Sequence, residues 1–397
     1  MKHIIAYLVL LYAILMASSC SSGKQQATVI MTEGFPIIIP FEDGIKNVKT
    51  IKLSDIAEKV EWVPLETTDS SLVAHPKLNT VALVDGRIYV PCSMGLLSFH
   101  ENGKFAGSIA RKGQGPGEYT HVLSIAADPV FNHIYLLSPG KVLTYESDGT
   151  FAHESQTPVG WQFTVMNDSI YLMYIQNNTG QRKDRLLMMN TEGDTLQHYQ
   201  QPDRFEVPNG MNWYYTNGKE SFLYTYQDVN VFHDYYCDTL YTVTPDSLYP
   251  RFILQMGQYK LPADLRLETK MLTSERDQSL KKAENYLRPT LFETDRYLVM
   301  PYTTWNIADS KAIPQLMIYD REKQECIRAQ NDAIANDMNG NVPFYPTARI
   351  ADNVLMAYIE APDLIEKAEH GAELPESLKG LKEDDNPVLM LVYLKKE

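Results

Sequence analysis

The sequence predicts an all-β chain, a six-bladed β-propeller built from four-stranded antiparallel blades. Three observations predict it. A strand of "Ile-Tyr" type, followed by a second apolar strand and usually by a polar turn and a third strand, recurs six times. The last repeat is one strand short, and a spare strand precedes the first. The connections alternate between tight turns and long loops. Self-similarity at a fixed period is the signature of a repeat architecture, and four short strands per repeat match a propeller blade.

The repeats can be read in order. The first copy holds Arg87-Ile88-Tyr89-Val90, Leu96-Leu97-Ser98-Phe99, the turn Glu101-Asn102-Gly103-Lys104 and a strand from Phe105. The second holds His133-Ile134-Tyr135-Leu136-Leu137, Val142-Leu143-Thr144-Tyr145 and the turn Ser147-Asp148-Gly149-Thr150. In full, the four strands of repeat one are expected at 77–84, 87–91, 95–100 and 104–110, and those of repeat two at 121–127, 132–138, 141–146 and 150–155. Repeat three gives 160–167, 169–175, 184–190 and 194–199; repeat four gives 212–218, 220–226, 238–244 and 248–255. Repeat five gives 288–294, 296–302, 314–320 and 324–329. The apolar runs are nearly continuous, as expected of strands covered on both faces.

Repeat six offers only 347–352, 354–359 and 388–393, while Val60-Glu61-Trp62-Val63-Pro64-Leu65-Glu66 stands unused before repeat one. Pairing the two removes an open edge, and Pro64 fits an outermost strand, where a missing N–H costs no ladder bond. Two insertions, 262–287 and 361–383, are rich in helix formers and predict helical excursions.

In a four-stranded meander, the first–second and third–fourth hairpins share one face. The second–third hairpins and the links between blades share the other. The first set is short and carries hairpin chemistry, as at Asp85-Gly86, Asn102-Gly103, Asp148-Gly149, Asn167-Asp168 and Glu192-Gly193. The second set is long, at 111–120, 176–183, 200–211, 227–237, 256–287, 303–313 and 360–386. Function concentrates on elaborated loops held by a rigid scaffold, so the long-loop face is the expected binding face.

Met1-Lys2-His3, an apolar run from Ile4 to Met16 and Ala17-Ser18-Ser19-Cys20 read as a secretory signal over 1–19. A lone cysteine at the cleavage point predicts lipidation of Cys20, with 20–48 as tether and lead-in and 49–397 as the propeller. The expected location is the cell envelope, at the outer membrane. No later stretch reaches the ~18 apolar residues of a spanning helix. Cys92, Cys237 and Cys326 lie in or beside apolar segments and are expected to be free, which excludes a disulfide scaffold. The net charge of −14 becomes −15 when Lys2 leaves with the signal, which argues against nucleic acid and anionic lipid as partners.

The stretch Gly113-Gln114-Gly115-Pro116-Gly117-Glu118-Tyr119, then Ile125-Ala126-Ala127-Asp128, Ile134-Tyr135-Leu136 and Tyr145-Glu146-Ser147-Asp148-Gly149, resembles an NHL repeat. It departs from that pattern at Ser138-Pro139-Gly140-Lys141, where the Asp-x-x-Asn-x-Arg stretch usually follows. The openings Ile51-Lys52-Leu53-Ser54-Asp55-Ile56 and Val63-Pro64-Leu65-Glu66-Thr67-Thr68 resemble exported six-bladed propeller lipoproteins of Bacteroides-type bacteria. That resemblance covers nearly all of the mature chain and implies fold and location more than function.

No catalytic motif stands out. There is no G-x-S-x-G elbow and no H-E-x-x-H. The nine histidines show no metal-ligand spacing, so neither metal nor cofactor is expected. The Gly113–Tyr119 stretch lacks the ending of a phosphate loop; its glycines fit a tight link between blades, and Arg111, Lys112, Gln114, Glu118 and Tyr119 stand as candidate ligand contacts on it. Trp213, Tyr214, Trp305 and Asn306 on elaborated loops are further candidates, with Trp305 expected to be exposed; aromatic packing between blades is the competing role. Four Asp-Ser/Thr turns, at Asp168, Asp194, Asp238 and Asp246, resemble a short O-glycosylation sequon and equally fit hairpin chemistry. Two functions follow. One is a non-enzymatic binding or scaffold module for a glycan or a partner envelope protein. The alternative is a carbohydrate-active hydrolase or lyase using acids such as Glu118, Asp228, Asp234 and Glu360, which would have to converge across one cleft. A channel plugged by side chains would count against the second.

Overall fold

The computed structural model describes residues 36–206, 220–268, 281–305 and 314–396. Six antiparallel sheets form the six blades, each counted outward from its inner strand. Blade one is Ala82–Val84, Arg87–Cys92, Gly95–His100 and Phe105–Ile109; blade two is Ser124–Asp128, His133–Ser138, Lys141–Glu146 and Phe151–Gln156. Blade three is Gln162–Asn167, Ile170–Tyr174, Asp184–Asn190 and Thr195–Gln200. The inner strand of blade five is broken into Leu287–Pro289 and Phe292–Glu293, followed by Tyr297–Thr304, Gln315–Asp320 and Glu325–Ala329. Blade six is Ala348–Ala351, Val354–Ile359 and Val388–Leu394, completed by the N-terminal Ala57–Pro64.

The closing strand runs antiparallel to Val388–Leu394, with Val63 opposite Leu389 and Pro64 opposite Val388 at the outer edge. Val63 and Leu65 join Leu389, Leu391, Ile88 and Phe99 in the apolar cluster between blades six and one. Polar bonds secure the exit of the strand. Asn386 donates to the carbonyls of Glu66 and Ser71 at 2.8 and 2.7 Å. The Glu66 carboxylate accepts from the Phe105 N–H at 2.9 Å and from Lys104 at 3.1 Å, which lowers its pKa. Gly103 sits at φ +85°, and a Cβ there would lie 2.0 Å from the Pro64 carbonyl oxygen. Only glycine permits that approach.

The recurring Ile-Tyr pair has a packing reason. Tyr89, Tyr135 and Tyr171 are fully buried between blades. Tyr89 donates to the Ser147 carbonyl of blade two at 2.5 Å, and the Tyr171 hydroxyl lies 3.2 Å from Ser155 Oγ of blade two. Each ring fills an inter-blade gap; the hydroxyls of Tyr89 and Tyr171 find partners on the neighbouring blade, and that of Tyr135 meets His133 of its own strand at 3.4 Å.

Blade four departs from the expected register. Its strands are Ser221–Tyr226, Val229–Asp234, Thr239–Val243 and Leu248–Leu254. The segment 220–226 is therefore the inner strand rather than the second, and Val229–Asp234 occupies much of what reads as the long loop 227–237. The expected inner strand at 212–218 lies outside the described residues. The turn at Gln227-Asp228 holds both residues at positive φ, 46° and 62°, so the chain reverses in two residues without a glycine to mark it.

The stretch expected to be lead-in also joins the ring. Ile37–Ile39 pairs in parallel with Phe252, Ile253 and Leu254 on the outer edge of blade four. Val48–Lys49 pairs in parallel with Arg328 and Ala329 on the edge of blade five. The chain thus crosses the outside of blades four and five before it completes blade six. Short helices occupy Ala263–Glu268 and Ala361–Glu369 within the two expected insertions. The elaboration of one face rests on the links 110–123, 255–286, 330–347 and 360–387, whereas the second–third turns of blades one and two, at Ser93-Met94 and Pro139-Gly140, are tight. No helix of the described residues is long and apolar enough to cross a membrane.

Candidate functional site

Two places gather polar chemistry near the hub. The first lies at the short-loop end of the axis. Thr164 of blade three and Thr225 of blade four share a hydrogen bond of 2.7 Å. Arg349, on the inner strand of blade six, donates to the Thr225 carbonyl, and its guanidinium lies 5.7 and 5.4 Å from the ring centroids of Tyr224 and Tyr226. Blade five stands between blades four and six in the ring, so this side chain spans the inner edge of blade five and links two blades that are not neighbours. Around it, Glu293 is fully buried and receives Arg251 from the outer strand of blade four and Arg321 from the turn after Gln315–Asp320, with Tyr224 donating at 3.0 Å. Asp295 receives Tyr226, Gln227 and Asn353. These charges are spent on one another, and the arrangement ties blades three to six together at the hub.

The second place opens on the long-loop face between blades four and five. It is a cavity of about 20 Å³ lined by His233, Tyr235, Tyr236, Cys237, Lys260 and Trp305, among others. That volume holds about one water-sized group. Three parts of the chain build it: the second–third turn of blade four, the end of that blade's outer strand with the link through Leu261, and the inner strand of blade five with the end of its second strand. Asp234 Oδ1 accepts the Tyr236 N–H at 2.9 Å and shapes the turn. Trp305, expected to be exposed, is only 5% exposed. Its indole stacks on Tyr236 at 4.8 Å, and its Nε1–H donates to the Leu287 carbonyl at 3.1 Å. Arg288 lies between the rings of Tyr235 and Trp305, at 5.5 and 5.6 Å. Lys260 and Asp238 pair at 2.7 Å on the exposed rim.

His233 is the buried titratable group of the cavity. Burial holds its pKa down at about 4, so the ring is neutral at pH 7. Its Nε2 lies 3.3 Å from the Cys237 carbonyl oxygen, an atom that can only accept. The Nε2–H tautomer follows, which leaves Nδ1 as an acceptor. Nδ1 is buried and has no partner.

The residues singled out from the sequence fall apart in space. Glu118 and Tyr119 serve the link between blades one and two. Glu118 accepts its own loop's Gly115 N–H at 2.9 Å, and Tyr119 is buried against Gly95. Arg111, Lys112 and Gln114 are exposed on that link, away from the cavity's lining. Trp213, Tyr214 and Asn306 lie outside the described residues. The four acids considered for hydrolysis do not converge. Glu118 is in the first link, Asp228 turns on the opposite, short-loop face, Asp234 pairs with Arg185 at 3.5 Å, and Glu360 accepts from Tyr358 at the end of a blade-six strand. No group of three or more metal-ligating side chains occurs among the described residues. Missed from the sequence were His233, Tyr235, Tyr236, Asp238, Lys260 and Arg288. The density of polar and aromatic side chains in His233-Asp234-Tyr235-Tyr236-Cys237-Asp238 was the available signal. Also missed was Trp161, which is 48% exposed on the link into blade three.

A family model described as "Domain of unknown function (DUF4934)" matches residues 36–393. Among solved structures, a protein of Bacteroides fragilis described as exported superposes with a TM-score of 0.70 at 20% identity, covering 90% of this chain and 100% of that one. A GH74 enzyme from Niastella koreensis gives a TM-score of 0.39 at 12% identity, covering 75% of this chain and 42% of the other. The first likeness concerns the fold, and the second is too distant to carry an argument. No curated protein matches the sequence.

Proposed function

The chain belongs to the DUF4934 family, and from that premise we propose an exported, lipid-anchored binding propeller that engages a glycan or a partner envelope protein on its long-loop face. The observation that carries this reading is that the candidate acids do not converge on one cleft: Glu118, Asp234 and Glu360 each sit in separate local contacts, and Asp228 turns on the opposite face. Elaborated links on one rigid face, with an exposed Trp161 and the blade four–five cavity among them, supply the recognition surface.

The test is a glycan array and an envelope-protein pull-down with the purified mature chain, run beside a panel of chromogenic glycosides. Saturable capture without turnover is expected. Turnover of any glycoside, with no retained ligand, would overturn the reading. The anchor is checked separately by metabolic labelling with an alkyne fatty acid, where Cys20→Ala should abolish incorporation.

A further inference from the structure

We propose that the cavity between blades four and five is a hydroxyl-reading pocket, in which His233 Nδ1 accepts a hydrogen bond from a hydroxyl of a neutral sugar. This rests on the binding reading above and names the ligand chemistry for one part of that face. Three observations lead to it. His233 is 1% exposed and lines the cavity, and its tautomer is fixed by the Cys237 carbonyl, so the ring offers an acceptor with nothing to accept from. A buried acceptor left unsatisfied costs about 1–3 kcal/mol, which a ligand O–H would recover. Arg288 Nη1 is likewise buried without a partner, on a guanidinium held between Tyr235 and Trp305. The cavity wall thus lacks a donor at Nδ1; Arg288 lies between the lining residues Leu287 and Pro289 but is not itself on the wall. A sugar hydroxyl is both donor and acceptor and can satisfy Nδ1, whereas an ionised carboxylate or a sulfate brings no donor for it.

Size sets how the ligand sits. A space of about 20 Å³ admits one hydroxyl or hydroxymethyl group and not a pyranose ring. The ring therefore rests outside, over the rim, where Lys260 and Asp238 are partly exposed and can meet its remaining hydroxyls. The pocket reads the end of a glycan rather than its middle.

The experiment is long-range ¹H–¹⁵N NMR of the histidine ring nitrogens in the full mature chain. Methyl glucoside, methyl galactoside and methyl mannoside are titrated in turn, with acetate and sulfate, which carry no hydroxyl donor at neutral pH, as comparisons. The free protein should show His233 as a neutral Nε2–H ring. At least one neutral glycoside should shift its Nδ1 resonance saturably, while acetate and sulfate do not. Lys260→Met, a rim change that leaves the buried ring in place, should weaken binding about fivefold while the shift at saturation persists. His233→Phe should abolish the interaction; should that variant misfold, the Lys260→Met titration and the resonance itself still decide. An Nδ1 resonance that no sugar moves, or that sulfate moves equally, overturns the proposal. If the array still retains glycans in that case, the face binds elsewhere and only the pocket assignment fails; if neither responds, the binding reading fails as well.

Discussion

At the scale of single residues, burial decides which titratable groups matter. The neutral His233 has a folded pKa of about 4, against about 6.5 for an unfolded chain. Above pH 6.5 neither state carries the proton and the contribution is complete. As the pH falls from 6.5 toward 4, the unfolded chain binds a proton that the folded ring refuses, and stability drops. The loss between pH 7.5 and pH 5 is expected to be about 2 kcal/mol. Urea unfolding at the two pH values checks it, and a His233→Phe chain should lack this component of the slope. Cys326 makes a second case. Burial pushes its thiol up to about 12, and it packs 3.0 Å from the Met317 sulfur. Cys326 and Cys92, both buried, should resist a thiol reagent until the chain unfolds, whereas the partly exposed Cys237 should label in the native state, as mass spectrometry of labelled peptides would show.

At the scale of elements, the N-terminal segment is structural. It adds edge strands to blades four and five and the last strand to blade six. A chain starting at Pro36 should melt like the mature protein. One starting at Glu66 loses the burial of Ile39, Phe41, Leu53, Ile56, Val60, Trp62, Val63 and Leu65, worth on the order of 15 kcal/mol, and uncovers the edge of Val388–Leu394. Circular-dichroism melting should show loss of the cooperative transition and aggregation in the second case. The elements also show where sequence reasoning was strong. The Ile-Tyr strands of blades one to three were legible because each tyrosine has the same inter-blade task. Blade four was misread because Gln227-Asp228 turns the chain without glycine, so Val229–Asp234 passed for a loop. The candidate site depends on that strand, and so its residues were missed together.

At the scale of the whole molecule, the hub network holds the ring from inside. Glu293 is fully buried between Arg251 and Arg321. Glu293→Gln keeps the shape and removes the charge facing two largely buried guanidinium groups. It should cost about 3 kcal/mol, visible as a lower urea midpoint with an unchanged slope. A loss below about 0.5 kcal/mol would show that the pair is solvated and spare.

The sequence by itself determined the number of blades, the closure by Val60–Glu66 and the division into a trimmed and an elaborated face. Each of these follows from local patterning: hydrophobic period, turn chemistry and a strand count that must close. Tertiary structure decided the rest. Trp305 was an aromatic on a long loop until Tyr236 and Arg288 covered its faces. Arg349 became a tie between blades four and six only because the ring brings their inner strands within its reach. His233 became an acceptor facing a cavity only because the Cys237 carbonyl fixed its tautomer and the fold left Nδ1 without a protein donor. Pairings between residues far apart in the chain leave no periodic trace, and the chemistry of this site is made of such pairings.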